Sequence, residues 1–478
     1  MHALGDLGGR YLLDGWRSAS RTYPLASPAT GAHLADVADC GADQGAAAVA
    51  IAADTFATWK RTTPFERSDL MMRWHAAILA AAERIAGTMA QEMGKPIRES
   101  RGEVAYAASF IRWYAEEAKR ITGETMPSPA ADKRLLAIRQ PVGPVFGITP
   151  WNFPAAMIAR KAAPALAAGC TIILKPAEQT PLTALLLAEL WLEAGGPPGV
   201  IQVVTARDPV PLSNAIVDDI RIRKLTFTGS TEVGRLLYGR SAPTMKKLSL
   251  ELGGHAPFIV FEDADIDSAV SQVLTCKYRN AGQTCISTNR IYVQRGIEAA
   301  FVERYAAAAA GLVVGDPLEE STDIGPLVDA AGLAKVEAHV ADAVEKGARV
   351  VTGGKGLDGL YYAPTVLTGV GGDMRLLREE TFGPVSPIIA FDSEAEVVAA
   401  ANGTPFGLAA YLYTNDLGRA VRVAEDLEYG IVGVNDGLPS VAHAPFGGIK
   451  QSGIGREGGH WGLEEYLDTK FISVALRR

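Results

Sequence analysis

From about residue 144 the chain alternates short apolar runs with helical stretches, and this alternation constrains the fold more than any other feature. VFGI, TIILKP, VIQVVT and KLTFTG read as strands; PAAMIARKAAPALAAG, PLTALLLAELWLEAGG and PVPLSNAIVDDI read as the helices between them. Strands joined through helices run parallel, because the crossover returns the chain to the same end of the sheet. The class implied is α/β, with a Rossmann-like parallel sheet. A second alternating region runs from about 255 to 430, with HAPFIVF, NRIYVQ, ARVVTGG and VSPIIAF as strands.

Upstream, residues 44–120 repeat apolar positions at helical spacing, as in SDLMMRWHAAILAAAERIAGTMAQEMG. The polar stretch TGETMPSPAADKR leads through LLAIRQPVG into an extended segment. EEYLDTKFISVAL, near the end, reads as a helix end followed by an edge strand. A chain of 478 residues exceeds what one core serves, so two or three domains are expected.

Several function classes are disfavoured. A formal net charge of -8 argues against nucleic acid or an anionic membrane as the main partner. No apolar run reaches the roughly 18 residues of a membrane span. MHALGDLGGRYLLDGW lacks the basic start and apolar core of a signal peptide, so a cytoplasmic protein is expected. The histidines are scattered and no HExxH occurs, so no metal site is expected; His255 and His443 read as packing or rim residues. Gly453, Gly455 and Gly458 spell GxGxxG, but they follow PFGGIKQS instead of a strand, and are not expected to hold a dinucleotide.

The four cysteines, Cys40, Cys170, Cys276 and Cys285, match neither a zinc site nor a disulfide framework. Cys285 stands apart. Asn280, Gly282, Gln283 and Thr284 before it are poor core material. A cysteine in a polar, glycine-containing approach suits a nucleophile, whose thiolate attacks carbonyls where a thiol does not.

With TPWNFP at 149–154, ILKPAEQTP at 173–181, FTGSTEVG at 227–234, ELGG at 251–254, GQTC at 282–285, EETFGP at 379–384 and PFGGIKQSG at 445–453, the chain resembles the aldehyde dehydrogenase superfamily over essentially its whole length. The resemblance implies a three-part fold. Residues 1–124 and 144–250 would form an NAD-binding domain, 251–430 a catalytic domain, and 125–143 with 464–478 a small β oligomerisation element. Residues 431–463 would carry a substrate loop back to the cofactor domain, and the protein would be a homodimer or homotetramer.

By the same resemblance Cys285 is the nucleophile, Glu251 the base that activates water, and Asn152 the oxyanion donor beside the Cys285 backbone N–H. Without it, Asn152 reads equally as a cap of the helix that begins near Phe153, and a surface carboxylate before a Gly-Gly turn is the lesser alternative for Glu251. For the cofactor, Gly229, Ser230 and Val233 would meet the pyrophosphate, Lys175 and Glu178 the adenosine ribose, and Glu380 and Phe382 the nicotinamide end. Thr149, Pro150, Trp151, Ala177 and Leu252 complete the expected contacts. A carboxylate at Glu178 accepts ribose hydroxyls and repels a 2′-phosphate, so NAD is expected over NADP, with NADP still possible through Lys175.

Arg160 and Arg279, with Ser440 in the loop before PFGG, resemble the succinate semialdehyde dehydrogenases of the superfamily. Two guanidiniums and a hydroxyl suit the distal carboxylate of a small semialdehyde. Glutarate or 2-oxoglutarate semialdehyde would fit the same clamp; a broad-specificity enzyme for neutral aldehydes, or a non-catalytic scaffold, are the other readings. Ser287 stands where several of those relatives have a second cysteine, so a disulfide lock with Cys285 is not expected.

Overall fold

The computed structural model describes residues 7–476. Two large sheets dominate it. The first has eight strands in the spatial order Gly453–Ile454, Lys247–Glu251, Lys224–Thr228, Val145–Ile148, Ile172–Lys175, Ile201–Val203, Arg10–Leu12 and Trp16–Ser18. The five from Lys247–Glu251 to Ile201–Val203 are parallel, and the outer ones are antiparallel. The parallel strands are buried almost throughout, as near-continuous apolar runs covered by helices on both faces should be. The two N-terminal strands, three residues each, are too short to show alternation, and sequence pattern does not reveal them.

The order of these strands makes the first functional feature. From Val145–Ile148 the chain steps outward through Ile172–Lys175 to Ile201–Val203. It then returns to lay Lys224–Thr228 on the opposite side. The loops leaving Val145–Ile148 and Lys224–Thr228 therefore diverge, and a crevice opens beyond the carboxyl ends of these neighbours.

The helices Ala42–Trp59, Pro64–Ala80, Ala82–Met93 and Ile97–Glu117 occupy the stretch read as helical. The helix Pro154–Ala168 is buried at every position. Its many alanines let neighbouring elements approach closely, and Pro154 at its first position gives up no hydrogen bond.

The second sheet has seven strands: Arg349–Thr352, Thr365–Thr368, Val385–Phe391, Thr288–Gln294, Ala256–Val260, Ala409–Tyr413 and Ile431–Val434. It extends past residue 430, where the sequence reading ended the catalytic domain. Ile431–Val434 pairs in parallel with Ala409–Tyr413, and its half-exposed IVGV offers little apolar signal. A third sheet joins Leu467–Ala475 to Lys133–Pro141 over nine antiparallel pairs, and Lys133–Pro141 to Glu124–Met126. Leu467–Ala475 has one edge unpaired among the described residues, with Phe471 61% exposed. No helix among the described residues is long and apolar enough to cross a membrane, and no cluster of three or more His, Cys, Asp or Glu side chains there is arranged to hold a metal ion.

Candidate active site

The two large sheets approach one region from opposite polarities. Thr149–Asn152 and Gly229–Ser230 follow strands of the first sheet, whereas Cys285, Glu380 and Phe382 precede strands of the second. Cys285 lies on the walls of two cavities. One is a chamber of about 380 Å3 bounded by Tyr106, Phe153, Arg160, Arg279, Ser440 and Phe446. The other, of about 370 Å3, is bounded by Trp151, Asn152, Leu252, Glu380 and Phe382.

The loop that presents Cys285 is strained. Asn280, Ala281 and Gly282 take left-handed backbone angles in succession, with φ of 54°, 56° and 75°. Non-glycine residues rarely adopt such angles unless their surroundings impose them. At Gly282 a Cβ would come 2.2 Å from the carbonyl oxygen of Gly383, so a side chain is excluded. Several hydrogen bonds hold the loop. The Asn280 N–H donates to the Glu99 carboxylate at 2.8 Å, the Gln283 amide donates to the Asn280 carbonyl at 3.1 Å, and the Val328 N–H donates to Gln283 at 2.9 Å. Desolvation pushes the Cys285 thiol up to about 12, against the opposing pull of Arg160.

Asn152 does not cap a helix. The helix begins at Pro154, Phe153 is its cap, and no side chain bonds its first turn from that position. Instead the Asn152 amide donates to the carbonyl of Gln283 at 3.0 Å, two residues before the sulfur.

Glu251 ends the strand Lys247–Glu251 and is buried, not a surface carboxylate; neither of its oxygens has a partner in the protein. Its carboxyl packs against Gly447, where a Cβ would stand 2.8 Å from Oε1. It lines neither the chamber nor the second cavity. Burial, reinforced by the neighbouring Glu457, raises its proton affinity well above that of an ordinary carboxylate.

Glu457 escapes the sequence reading. Its buried carboxylate accepts a hydrogen bond from Lys161 Nζ at 2.8 Å and pairs with Arg160, whose Nη2 lies 2.8 Å from Oε2. Lys161 also donates to the hydroxyls of Thr226 and Thr228, at 3.2 and 2.7 Å. Burial works against ionisation of Glu457, but Lys161 and Arg160 outweigh it and hold its pKa below the usual value. One signal did exist: Arg160 and Lys161 are adjacent cations on an otherwise apolar, fully buried helix, and buried charges demand a partner.

The three residues of the expected tail clamp all face the chamber. The Arg160 guanidinium carbon lies 3.9 Å from the centre of the Phe446 ring. Arg279 has no carboxylate within 4 Å among the described residues, and its Nε is unbonded. Ser440 Oγ lies 2.5 Å from the hydroxyl of Tyr106, a lining residue that the sequence did not single out. His443 lines a neighbouring outer cavity with its ring 5.8 Å from that of Trp113, and the buried His255 meets the Leu376 carbonyl at 3.1 Å.

The crevice at the sheet's reversal point encloses about 560 Å3 and is lined by Thr149, Pro150, Trp151, Lys175, Ala177, Glu178, Gly229, Ser230 and Val233. It shares Pro150, Trp151, Gly229 and Ser230 with the cavity that reaches Cys285, so the two form one groove. At the outer end Lys175 Nζ lies 3.4 Å from the Glu178 carboxylate. Midway, Ser230 caps the helix Thr231–Ser241 and accepts the Val233 N–H at 3.3 Å, so a helix N-terminus favourable to an anion opens on the groove. At the inner end Phe382, itself held at φ 56°, meets Trp151 edge-on at 5.4 Å. Glu380 accepts the Gly254 N–H at 3.1 Å, and burial pushes its pKa to about 7. A hydroxyl-binding carboxylate, an anion-favouring turn and an aromatic end beside the sulfur fit a dinucleotide laid along the groove. Gly453 and Ile454 instead form an edge strand of the first sheet, and neither they nor Gly455 and Gly458 line the groove.

The aldehyde dehydrogenase family model matches residues 16–472. The chain is 51% identical to the 3-sulfolactaldehyde dehydrogenase of Pseudomonas putida, over 97% of this chain and 96% of that protein. It is 52% identical to the succinate-semialdehyde dehydrogenase (NADP(+)) of Escherichia coli, over 95% of this chain and 94% of that protein. The crystal structure of a succinate-semialdehyde dehydrogenase from Burkholderia pseudomallei superposes with a TM-score of 0.97 at 50% identity, covering 100% of this chain and 99% of the other.

Proposed function

Because this chain belongs to the aldehyde dehydrogenase family, we propose that it oxidises small aldehydes bearing an acid group at the far end, succinate semialdehyde foremost, to the corresponding acids. The observation that carries this reading is the chamber at Cys285, where Arg160, Arg279 and Ser440 converge on a wall that is largely apolar and aromatic and that also carries Lys95, Glu99 and Glu103. The two relatives named above share one substrate feature by their names: an anionic group, carboxylate in one and sulfonate in the other, remote from the aldehyde. Each charge-assisted hydrogen bond to such a tail contributes about 1.5–3 kcal/mol.

In this reading the Cys285 sulfur releases its proton to solvent and attacks the aldehyde carbon. The resulting alkoxide takes the place of the Gln283 carbonyl as acceptor for the Asn152 amide and is also held by the Cys285 N–H. Losing one such donor costs about 3–4 kcal/mol in related sites. A nicotinamide dinucleotide bound in the groove supplies the acceptor for the hydride that leaves this carbon. Cys285 is left as a thioester, and Glu251 turns inward from beside Gly447 to take a proton from the attacking water. The acid leaves, and the proton that Glu251 took from water passes to the departing sulfur, which restores the thiol.

For the cofactor we read NAD over NADP. Glu178 stands at the outer end of the groove with its carboxylate engaged by Lys175, which leaves that cation less available to a 2′-phosphate. We also read the working form as a homodimer or homotetramer, joined through the open edge of Leu467–Ala475, since an exposed strand edge recruits a partner strand. The test of the substrate reading is a panel of linear semialdehydes of four to six carbons, with their neutral analogues, against both cofactors. Equal kcat/KM for butyraldehyde and succinate semialdehyde would overturn it.

A further inference from the structure

Lys95 and Glu103 form a buried ion pair, each side chain 1% exposed. Such pairs add little net stability over well-packed apolar residues, so this one calls for a use. Its surroundings supply it. Glu103 Oε1 accepts the N–H groups of Ala155 and Ala156, at 2.9 and 3.1 Å, at the open first turn of the helix Pro154–Ala168. Phe153 brings no side-chain bond to that turn, so Glu103 does the capping from another helix. Lys95 Nζ donates to the main-chain carbonyl of Asn152 at 2.8 Å while resting 3.8 Å above the Phe153 ring. The Asn280 amide donates to the same carbonyl at 3.1 Å. The Asn152 main chain is thus gripped from two sides, and its side-chain amide is left to reach the Gln283 carbonyl beside Cys285.

We propose that Lys95, held by Glu103, is a positioning residue for the oxyanion donor: it fixes the peptide of Asn152 so that the side-chain amide aims at the aldehyde oxygen, where the alkoxide forms when Cys285 attacks. This rests on the reading of Asn152 as that donor. A brace serving only the helix would affect folding, but its loss would not depend on whether the Asn152 amide is present.

The experiment is a double-mutant cycle on the full-length enzyme, reading the pre-steady-state burst of NADH with succinate semialdehyde. Lys95→Met should slow the burst by roughly 10- to 100-fold, with NADH affinity unchanged. On an Asn152→Ala background the same change should cost no more than about twofold, because the interaction it served is already gone. Equal slowing on both backgrounds, or no slowing in the single variant, overturns the proposal. Asn152→Ala with a normal burst would instead remove the oxyanion reading itself, and this inference with it. Should Lys95→Met not fold, Glu103→Gln, which still accepts both N–H groups, enters the same cycle with the same expectation.

Discussion

Arg160 Nη2 lies 2.8 Å from Oε2 of Glu457, with both side chains almost wholly buried, so one guanidinium serves the substrate chamber and a structural carboxylate at once. The two arginines of the chamber are therefore not equivalent. Arg160 is tied to Glu457, a carboxylate it shares with Lys161, whereas Arg279 makes no ion pair within 4 Å among the described residues and is the freer of the two to meet a substrate anion.

Arg279→Ala should raise KM for succinate semialdehyde by roughly 10- to 100-fold, the loss of one charge-assisted contact, and leave butyraldehyde turnover close to wild type. Arg160→Ala should lose the same selectivity and also stability, since Glu457 then keeps only Lys161. The check is the ratio of kcat/KM for the two aldehydes in each variant, beside a denaturant melt. A ratio unchanged in both variants would contradict the clamp.

Glu457→Gln leaves Arg160 and Lys161 buried without their anion. Breaking a buried pair in this way typically costs about 3–5 kcal/mol, which urea unfolding would register. With Glu457 neutral, Glu251 faces only cations, so its proton affinity should fall and the acidic limb of the deacylation profile should move to lower pH. A limb that stays in place would separate Glu457 from the base.

Glu251 must be ionised to accept a proton from water, and burial raises its pKa above the ordinary 4.5. Deacylation should therefore fall about tenfold per pH unit below the folded-state pKa. Glu251→Gln should give one burst of NADH and then stall as acyl-Cys285, visible by mass spectrometry; normal steady-state turnover would exclude Glu251 as the base. The stability effect has the matching sign. A raised folded pKa stabilises the protein fully below the unfolded value, and the contribution is lost as pH rises through the folded value. The melting temperature of Glu251→Gln should thus gain on that of wild type as the pH increases, and a constant difference would count against a titrating carboxyl here.

Glu178→Gln keeps a hydrogen-bonding group at the outer end of the groove while freeing Lys175 from its 3.4 Å partner. The NAD-to-NADP ratio of kcat/KM should fall by roughly 10- to 100-fold, chiefly through KM for NADP. If wild type already prefers NADP, Glu178 is not the discriminator.

Phe471→Asp places a charge on the exposed face of the edge strand Leu467–Ala475. It should shift the particle toward a smaller assembly in light scattering at micromolar concentration. An unaltered mass would move the subunit contact elsewhere.

Local pattern carried a large part of this protein. The apolar runs from VFGI to KLTFTG specify parallel strands because each is a complete unit of period and length, and Asn280–Thr284 mark Cys285 because polar and glycine residues there make poor core. Pattern failed where elements are short, as at Arg10–Leu12, or half-exposed, as at Ile431–Val434. It failed more fundamentally at the buried charges. Lys161 and Glu457 meet across 296 residues of chain, and Lys95 reaches a main-chain carbonyl that leaves no trace in residue type. Short-range periodicity determines which segments form strands and helices, since it depends only on neighbours along the chain. Which carboxylate answers a buried cation is decided by tertiary packing alone, because desolvation demands a partner without specifying where along the chain it lies.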